Sequence, residues 1–394
     1  MMTETTKDKK YSDKFCNYLA MAGHFFADIN QGALSACLPF LVAQRGYSYA
    51  AVTMLILMSN VASSVIQPLF GTISDRKARP WLMPLGIFLC GLGLALVGLT
   101  DSYEITLGAA CLSGLGGAIF HPEGGRISNL AAGEKKGSGM SIFAVGGNIG
   151  FFVGPILLTV LVTLFGMQGT ALFLIPATFS ALFILKFNKR FLKLGVGTAK
   201  SQSGESREHW GQFWLATTVM AIRGVLQYGL LAFIPLFVAS NLGQSSEVSS
   251  LTLSFFSVIA GFATLSSGAV TQRFGVHRTT IFCLSMLAVL LVLFSNCNIF
   301  ALSILLICGL AIFDTLFYPS YIALGMSYIP AHLGTASGIS YGIVFCFGGA
   351  TQPLLGIAGD MYGLQVVMLI MAGISLFGAL FALNVARRHR KIIE

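Results

Sequence analysis

Charged residues are scarce in this chain of 394 residues, of which 10% are charged and 55% are hydrophobic. Soluble domains carry about 25% charged residues, so no soluble core would absorb this excess of apolar side chains. The chain also lacks a nucleotide-binding loop, a metal-spaced cluster and a nucleophile elbow. These absences argue against an enzyme, and they exclude primary pumping unless a partner supplies the ATP-binding apparatus. We therefore expect no enzymatic activity and no cofactor.

Paired cysteines and strand-like alternation are missing as well. The eight cysteines have no paired spacing, which argues against a disulfide framework or a zinc site. All of them lie within apolar segments or at their edges: Cys16, Cys37, Cys90, Cys111, Cys283, Cys297, Cys308 and Cys346. Apolar residues do not alternate with polar ones as they do in membrane β-barrels. The sequence therefore predicts membrane-crossing helices and no metal site.

What the chain does contain is a series of long apolar segments. About 20 apolar residues, rising about 1.5 Å each, cross the ~30 Å hydrocarbon core as an α-helix. Twelve such spans are predicted, near residues 15–42, 49–73, 81–100, 103–129, 138–165, 169–187, 212–239, 249–271, 279–296, 299–328, 334–357 and 364–386. The first is too long for a signal peptide and contains His24 and Asp28, so we expect it to stay in the protein. The predicted fold class is an all-α membrane protein.

Lysine and arginine residues occur on alternate sides of the predicted spans. They cluster before the first span and after spans two, four, six, eight and twelve, whereas the opposite loops carry only Arg45. Because cytoplasmic loops accumulate these cations, we predict a plasma (inner) membrane protein with both termini in the cytoplasm. The net charge of +9 follows from this topology, so nucleic acid is not an expected partner. Membrane lipids are an expected partner, and the basic C-terminal tail either contacts anionic headgroups or is an ordinary stop-transfer flank.

A basic and then polar segment separates the first six predicted spans from the last six. It divides the chain into a first six-helix bundle at 1–187, a cytoplasmic linker at 188–210 and a second bundle at 211–394. Landmarks recur 197 residues further on: Phe120-x-Pro122 matches Phe317-x-Pro319, and Gly71 with Arg76 matches Gly268 with Arg273. Two duplicated bundles are typical of transporters whose substrate site lies at the repeat interface.

Acidic and basic residues inside the predicted spans are confined to the first, fourth, seventh and tenth. They are Asp28, Glu123, Arg126, Arg223 and Asp314. A charge at bilayer depth costs several kcal/mol, so such residues usually face a bundle interior or a wet pathway and carry function. If the twelve spans are grouped in threes, these four spans occupy the same position in each group. A water-accessible path between the two halves requires polar residues at such corresponding positions. We therefore expect a transporter of a small polar molecule, coupled to protons and acting as a monomer.

The first span carries a titratable pair. His24, Asp28 and Gln31 follow i, i+4, i+7 spacing and share one helical face. An imidazole beside a carboxylate in a poorly hydrated place can exchange a proton as its surroundings alternate between the two sides. His24 and Asp28 are therefore predicted proton carriers, and Gln31 a substrate contact. The alternative is a satisfied polar contact that only fixes helix packing.

The fourth span places an acid, a base and a permanent cation close together. His121, Glu123 and Arg126 flank Pro122, which breaks backbone hydrogen bonding in a glycine-rich segment. Glu123 and Arg126 are i, i+3 neighbours that neutralise each other or form a switch, since a proton on Glu123 or a competing anion would free Arg126. His121 and Glu123 are predicted proton carriers, and Arg126 a predicted anion anchor.

The seventh and tenth spans supply the second half of the predicted site. Arg223 and Gln227 lie four residues apart, and a guanidinium with an amide suits phosphonate, phosphate or carboxylate oxygens. Asp314, Tyr318 and Tyr321 share another face, with Asp314 as a proton carrier and the two hydroxyls closing the substrate site. An aromatic stripe that serves only packing is the alternative for the tyrosines.

Two motifs resemble signatures of the major facilitator superfamily. The loop after span two contains Gly71-x-x-x-Asp75-Arg76, and span five contains Gly150-x-x-x-Gly154-Pro155, which resembles the motif of the antiporter branch. The resemblance implies two pseudo-symmetric six-helix bundles and a conformational gating role for these six residues. Small residues four apart open a close-packing face, and a carboxylate at a helix end can latch one state. A plain positive-inside loop and structural packing are the respective alternatives.

A closer resemblance, to the fosmidomycin-resistance efflux transporters of this superfamily, is carried by four segments. They are His24-x-x-x-Asp28-x-x-Gln31, Ser63-Ser64-Val65-Ile66-Gln67-Pro68, Phe120-His121-Pro122-Glu123 with Arg126, and Val145-Gly146-Gly147-Asn148 with Gly154-Pro155. The resemblance implies export of a small anionic antibiotic such as a phosphonate, driven by inward proton flow.

Three other functions fit parts of the same pattern. An importer that carries an organic anion together with protons would use the same charges, and only the direction of transport separates it from an exporter. A lipid flippase needs an apolar lateral opening, which the predicted polar path argues against. A membrane sensor would carry a soluble signalling domain, for which the linker and the tails are too short.

Overall fold

The computed structural model describes residues 13–76, 78–132, 136–194, 208–329 and 333–393. Within these residues it contains fifteen α-helices and one 3-10 helix, Gly166–Phe173. The first eight are α1 (Lys14–Ala36), α2 (Leu38–Arg45), α3 (Tyr49–Arg76), α4 (Leu82–Leu99), α5 (Tyr103–Ala131), α6 (Lys136–Phe165), α7 (Leu174–Leu185) and α8 (Asn188–Leu194). The other seven are α9 (Trp210–Ser240), α10 (Ser246–Phe274), α11 (Val276–Ser295), α12 (Phe300–Thr315), α13 (Tyr318–Ser327), α14 (Leu333–Tyr362) and α15 (Leu364–Ile393).

Three predicted elements differ from the helices observed. The first predicted span is a pair, α1 and α2, bent by 43° next to Pro39. The tenth predicted span, 299–328, is one apolar segment of membrane-spanning length, Phe300–Ser327, which is interrupted between α12 and α13 just before Pro319. Proline fits the first turn of a new helix but cannot donate within one, so it favours both breaks. The predicted linker begins with a helix, α8, which sequence reasoning missed.

Candidate membrane spans among the described residues can be compared with the twelve predicted. In the described ranges, nine helical segments are long and apolar enough to cross a membrane, and the bent pair makes ten. One of the nine, Gly139–Leu185, contains both the fifth and the sixth predicted spans, which meet at Gly166 with φ of 63°. The second predicted span contributes only a shorter apolar helix, Tyr49–Ser63. The all-α membrane fold is confirmed, whereas the count of twelve stays a prediction.

Helices α1–α8, the first helix group, and α9–α15, the second helix group, each pack mainly among themselves. The two groups repeat one backbone hydrogen bond at their starts. Asp13 N–H donates to the Ala131 carbonyl over 2.9 Å, and His209 N–H donates to the Tyr328 carbonyl over 2.8 Å. Each bond joins the start of the group's first long helix to the end of the corresponding later helix. This equivalence agrees with the internal repeat in the sequence.

Helix α6 packs against α1 through a row of glycines. A Cβ added at Gly146 would lie 2.1 Å from the Met21 carbonyl oxygen, and one at Gly154 would lie 2.4 Å from that of Ile29. Real Cβ atoms do not approach backbone this closely, so only glycine permits the observed contact. The row presses the polar face of α1, with His24 and Asp28, directly against α6.

The two helix groups meet mainly through α3 with α14 and through α6 with α10. A Cβ at Gly356 on α14 would lie 2.4 Å from Thr53 Oγ1 on α3, so these helices also touch closely. Thr159 on α6 donates a hydrogen bond to Ser250 on α10 over 3.0 Å. Among the described residues, hydrogen bonds between the groups involve the start of α3 and the first third of α10, whose partners lie on α2, at the ends of α9 and α14 and in the second half of α6. This end of the molecule is therefore closed.

Candidate functional site

Asp28 on α1 lies between two histidines in the interior of the first helix group. Its Oδ2 is 3.1 Å from His24 Nε2, one helical turn earlier, and its Oδ1 is 3.2 Å from His121 Nε2 on α5. Asp28 itself is buried, whereas the His24 and His121 side chains keep 12% and 28% of their surface exposed. The i, i+4 spacing predicted the first contact. The second joins residues 93 positions apart, and no spacing signal points to it.

Backbone carbonyls fix how the two imidazoles are turned. His24 Nδ1 lies 2.8 Å from the Phe143 carbonyl oxygen, and His121 Nδ1 lies 2.7 Å from that of Gly117. A carbonyl only accepts, so each Nδ1 carries the proton and each Nε2 is turned toward Asp28. In a neutral imidazole the Nε2 lone pair would then face a carboxylate oxygen, and the two would repel each other. Each His–Asp contact is therefore favourable only when a proton lies between the nitrogen and the oxygen. The three groups can thus hold two protons in these contacts.

The surroundings of this cluster leave no room for a larger residue on α6. A Cβ at Gly147 would lie 2.7 Å from Asp28 Oδ2 and equally near the His24 ring. The Phe143 ring stacks on His24 with its centroid 4.1 Å away. Gly147 and Phe143 therefore fix the position of the Asp28 carboxylate relative to the His24 imidazole. Sequence reasoning assigned a role to neither residue.

The same three residues are the described set whose spacing would admit a metal ion, with their ligand atoms within 4.8 Å of one another. Hydrogen bonds already fill the two short contacts between them. The arrangement is thus complete with protons alone, and the sequence-based expectation of no metal stays a prediction.

Glu123 and Arg126 form the ion pair that their i, i+3 spacing predicted. Arg126 Nε and Nη2 donate to the two carboxylate oxygens over 3.2 and 2.5 Å, a bidentate arrangement. The Glu123 side chain is fully buried, whereas 17% of the Arg126 side chain is exposed. The guanidinium thus keeps an open edge although its charge is already balanced.

Arg223 and Asp314 form a second pair, inside the second helix group. Arg223 Nη2 donates to Asp314 Oδ2 over 2.8 Å, and Arg223 Nε donates to the Asp314 carbonyl oxygen over 3.2 Å. The Tyr318 ring covers the guanidinium, with its centroid 4.0 Å from Cζ. The side chains are 4% and 0% exposed, so the pair is nearly dry. Sequence reasoning named both residues for the site but placed Gln227 beside Arg223 and did not predict the contact with Asp314.

The remaining predicted substrate contacts, Gln31, Gln227 and Tyr321, lie in different environments. The Gln31 amide donates to the Ser113 carbonyl over 3.2 Å and accepts from the Ser59 hydroxyl over 3.3 Å, which ties α1 to α5 and α3. Gln227 is half-buried. Tyr321 is fully buried with its ring centroid 6.1 Å from that of His277, and its hydroxyl has no hydrogen-bond partner within the described part. The ring contacts of Tyr321 are with His277 and Phe317.

The residues expected to control gating lie at two places. Gly150, Gly154 and Pro155 belong to the α6 face that packs against α1, within the first helix group. The side chains of Gly71, Asp75 and Arg76 lie outside the described part of the chain. In the structure, Gly150, Gly154 and Pro155 therefore belong to a packing surface.

One residue at the boundary between the helix groups had no signal in the sequence. Asp360 near the end of α14 accepts from Tyr49 N–H over 2.7 Å and from Ala50 N–H over 2.9 Å, which caps α3 across the boundary. The contact joins α14 of the second helix group to Tyr49 at the start of α3 in the first.

Comparison with known proteins agrees with this geometry. The sequence profile described as Major Facilitator Superfamily matches residues 20–353 and 216–393. The fosmidomycin resistance protein of Escherichia coli K12 is 26% identical over 378 residues, covering 93% of this chain and 92% of that protein. The multidrug resistance protein MdtG of Escherichia coli is 26% identical over 379 residues, covering 91% and 92%.

Among solved structures, a bacterial homologue of the human lysosomal transporter Spinster, inward-facing and unoccupied, superposes with a TM-score of 0.80. It is 13% identical and covers 97% of this chain and 98% of that one, so the likeness concerns the fold. Together with the apolar helices, these matches identify a multi-pass membrane transporter that is not an enzyme. The chain belongs to the Major Facilitator Superfamily.

Proposed function

We propose that this protein is a proton-coupled antiporter that exports a small anionic compound, such as a fosmidomycin-like phosphonate, by alternating access. The observation that carries the proposal is the His24–Asp28–His121 cluster, with one carboxylate between two oriented imidazoles. The names of the relatives, a fosmidomycin resistance protein and a multidrug resistance protein, support the export of antibiotics.

The cluster provides a proton-carrying centre with three charge states. With no proton in its two contacts it carries −1, with one it is neutral, and with two it carries +1. Each proton that enters with the membrane potential releases ~2.3 kcal/mol per 100 mV, which can drive substrate in the opposite direction. Glu123 and Asp314 are the further proton carriers in this proposal.

The anion site in this proposal comprises Arg126 and Arg223, with Gln31, Gln227 and Tyr318 nearby. Guanidinium groups bind phosphonate oxygens in a bidentate way, as they bind carboxylates. Both arginines are already paired with a carboxylate, so the substrate must displace that partner or bind the open edge that Arg126 retains.

Alternating access requires that the closed end of the molecule opens while the other end closes. Cation placement supports a topology with both termini cytoplasmic, which makes the closed end extracellular. In this proposal residues 1–187 and 211–394 move as two bundles joined by the linker 188–210, and the protein acts as a monomer. The segment with Gly71, Asp75 and Arg76 forms the cytoplasmic latch, and Gly150, Gly154 and Pro155 let α6 shift against α1.

Proton-driven transport in proteoliposomes tests this function. With a pH gradient imposed, the wild-type protein is expected to move labelled fosmidomycin against its gradient and opposite to the protons. Asp28→Asn is expected to abolish this uphill movement but to retain passive exchange of substrate, because only the proton site is lost. Asp101→Asn removes an exposed carboxylate and should behave as wild type. Undiminished uphill transport by Asp28→Asn would remove the cluster from the mechanism.

A second candidate, a proton-coupled importer of a small organic or phosphorylated anion, is favoured by the Arg223–Asp314 pair. A proton on Asp314 would release Arg223 for an anion, so that both load together and move in one direction. The same proteoliposomes separate the two candidates. Accumulation of the anion on the side that receives the protons would establish the importer, and accumulation on the opposite side the exporter.

A further inference from the structure

A basic cavity of about 510 Å³ lies where α7 ends and α8 begins, away from the charged centres of the two helix groups. Its lining includes three exposed lysines, Lys186, Lys189 and Lys193. They form no ion pair with any other described residue. Arg190 is also present, but its charge is balanced by Asp13 through two hydrogen bonds of 2.9 and 3.0 Å. The cavity therefore offers three uncompensated cations.

Helix α8 carries Lys189 and Lys193, and Lys186 lies between the end of α7 and the start of α8. Phe191 on α8 is buried among residues of α1, α4 and α5, and the Arg190–Asp13 pair clamps α8 to the start of α1. All three lysines line the same cavity. Three cations around one cavity, two of them on a docked helix, form a site for a multivalent anionic group.

An apolar groove of about 490 Å³ lies on α7 and on the 3-10 helix that precedes it. Ala171, Leu174, Ile175, Thr178, Phe179 and Leu182 line it. Phe179 and Lys186 are seven residues apart, which corresponds to about 10 Å along a helix.

A row of phenylalanines connects the groove to the basic cavity. Ring centroids are 6.4 Å apart from Phe179 to Phe183, 5.3 Å from Phe183 to Phe187, and 5.1 Å from Phe187 to Phe15. Phe179 and Phe183 are 70% and 43% exposed on the outer surface of a membrane protein, where lipid tails lie. The cavity and the groove thus form one continuous track, cationic at one end and apolar at the other.

We propose that this track binds one anionic glycerophospholipid, with its phosphate among the three lysines and an acyl chain in the α7 groove. A soluble phosphate or phosphorylated metabolite would use the lysines but not the groove, and an acidic peptide would leave the groove to ordinary lipid. An anionic lipid fits both parts of the track, because its headgroup matches the basic cavity and its acyl chain matches the apolar groove. The inference needs only that the chain spans a membrane, and it is independent of the transport reaction proposed above.

Lipid retention by the purified full-length protein tests the proposal. The probes are phosphatidylglycerol and phosphatidylcholine with identical chains, compared by native mass spectrometry and by titration in nanodiscs. Wild type should retain phosphatidylglycerol preferentially. A cation near a membrane surface contributes about fivefold in affinity, so replacing Lys186, Lys189 and Lys193 by Gln should cost roughly 100-fold. Replacing all three by Arg should preserve binding, because the charge remains.

Two controls separate this site from general attraction of lipid to a basic protein. Replacing Arg79, Arg273 and Arg278 by Gln removes the same charge from exposed positions elsewhere in the protein and should leave retention unchanged. Thr178→Trp fills the groove and should weaken the binding of phosphatidylglycerol. It should not change the binding of glycerol phosphate, which is weak and does not use the groove. Equal losses from both triple substitutions, or displacement of the lipid by glycerol phosphate at similar concentrations, would overturn the proposal.

Discussion

The two helix groups place opposite charges at related positions. In the first group the acid, Asp28, is on the opening helix and its partner His121 is on α5. In the second group the opening helix carries the base, Arg223, and the acid Asp314 is on α12. Tyr318, which covers Arg223, stands 197 residues after His121, the offset of the sequence repeat. The duplicated scaffold has kept the location of a polar centre and exchanged its chemistry.

The difference in exposure gives the two centres different abilities. The imidazoles of the first centre are 12% and 28% exposed, whereas the pair in the second is 4% and 0% exposed. A proton reaches a group only where water or another titratable group touches it, so the first centre is suited to exchange protons in the present conformation. The second holds a permanent cation, which needs its acid as long as it stays buried.

The largest expected effect is on stability, and it separates the two centres directly. Asp314→Asn leaves the Arg223 guanidinium buried without a charged partner, which we expect to cost about 3 kcal/mol of the free energy of unfolding. Asp28→Asn should cost much less, because both histidines can become neutral. Thermal unfolding in detergent measures both. Equal losses would show that the second centre is not the drier and more rigid one.

A double substitution sharpens the same test. Arg223→Met combined with Asp314→Leu replaces the buried pair by apolar groups of similar volume, which is often neutral for stability. We expect the double variant to unfold near the wild-type temperature while losing substrate binding. If it remains as unstable as Asp314→Asn, the loss in the single variant comes from packing and not from an unpaired charge.

A second prediction addresses the geometry of the first centre without changing its titratable groups. In Gly147→Ala the new Cβ would lie 2.7 Å from Asp28 Oδ2, so the carboxylate and the His24 ring must move apart. We expect at least a tenfold loss of proton-driven transport with only modest destabilisation, because flexible side-chain ends can yield. Gly261→Ala, where no atom lies within 4 Å of the added Cβ, is the control. Normal coupling in Gly147→Ala would mean that the Asp28–His24 contact is dispensable.

A third, smaller prediction concerns the boundary between the helix groups. Asp360→Asn weakens the cap that one group places on α3 of the other, and loss of a cap typically changes an equilibrium about fivefold. Amide hydrogen exchange at Tyr49 and Ala50 should accelerate by that factor, with little change elsewhere in α3. The exposed Asp101→Asn again serves as control. Unchanged exchange at both amides would show that the groups remain closed at this end without the carboxylate.

The sequence predicted those features that depend on neighbours along one helix. The positions of most helices and the contacts of Asp28 with His24 and of Arg126 with Glu123 follow from periodicity and from i, i+3 or i, i+4 spacing. Contacts between distant residues did not follow, because helix packing decides them. The His121–Asp28, Arg223–Asp314 and Tyr49–Asp360 contacts span 93, 91 and 311 positions.

The smallest expected effect comes from the one place where the starts of the two groups differ. Both share a backbone hydrogen bond there, but only the first adds the Asp13–Arg190 ion pair, on a half-exposed Arg190. Although burial alone would raise it, hydrogen bonds from Arg190 and Cys16 hold the pKa of Asp13 below its ordinary value of 3.8.

A lowered pKa in the folded state stabilises the fold above the unfolded pKa, and this contribution disappears as the pH falls through the folded pKa. Arg190→Gln should therefore lower the unfolding temperature by about 1 °C near neutral pH, since exposed ion pairs contribute little. The difference from wild type should shrink as the pH falls below the ordinary pKa of Asp13 and vanish once the pH lies below its lowered pKa in the folded state, where Asp13 is protonated in both proteins. A difference that persists in acid would assign the effect to the stacking of Arg190 on the Phe15 ring, 4.7 Å away, and not to charge.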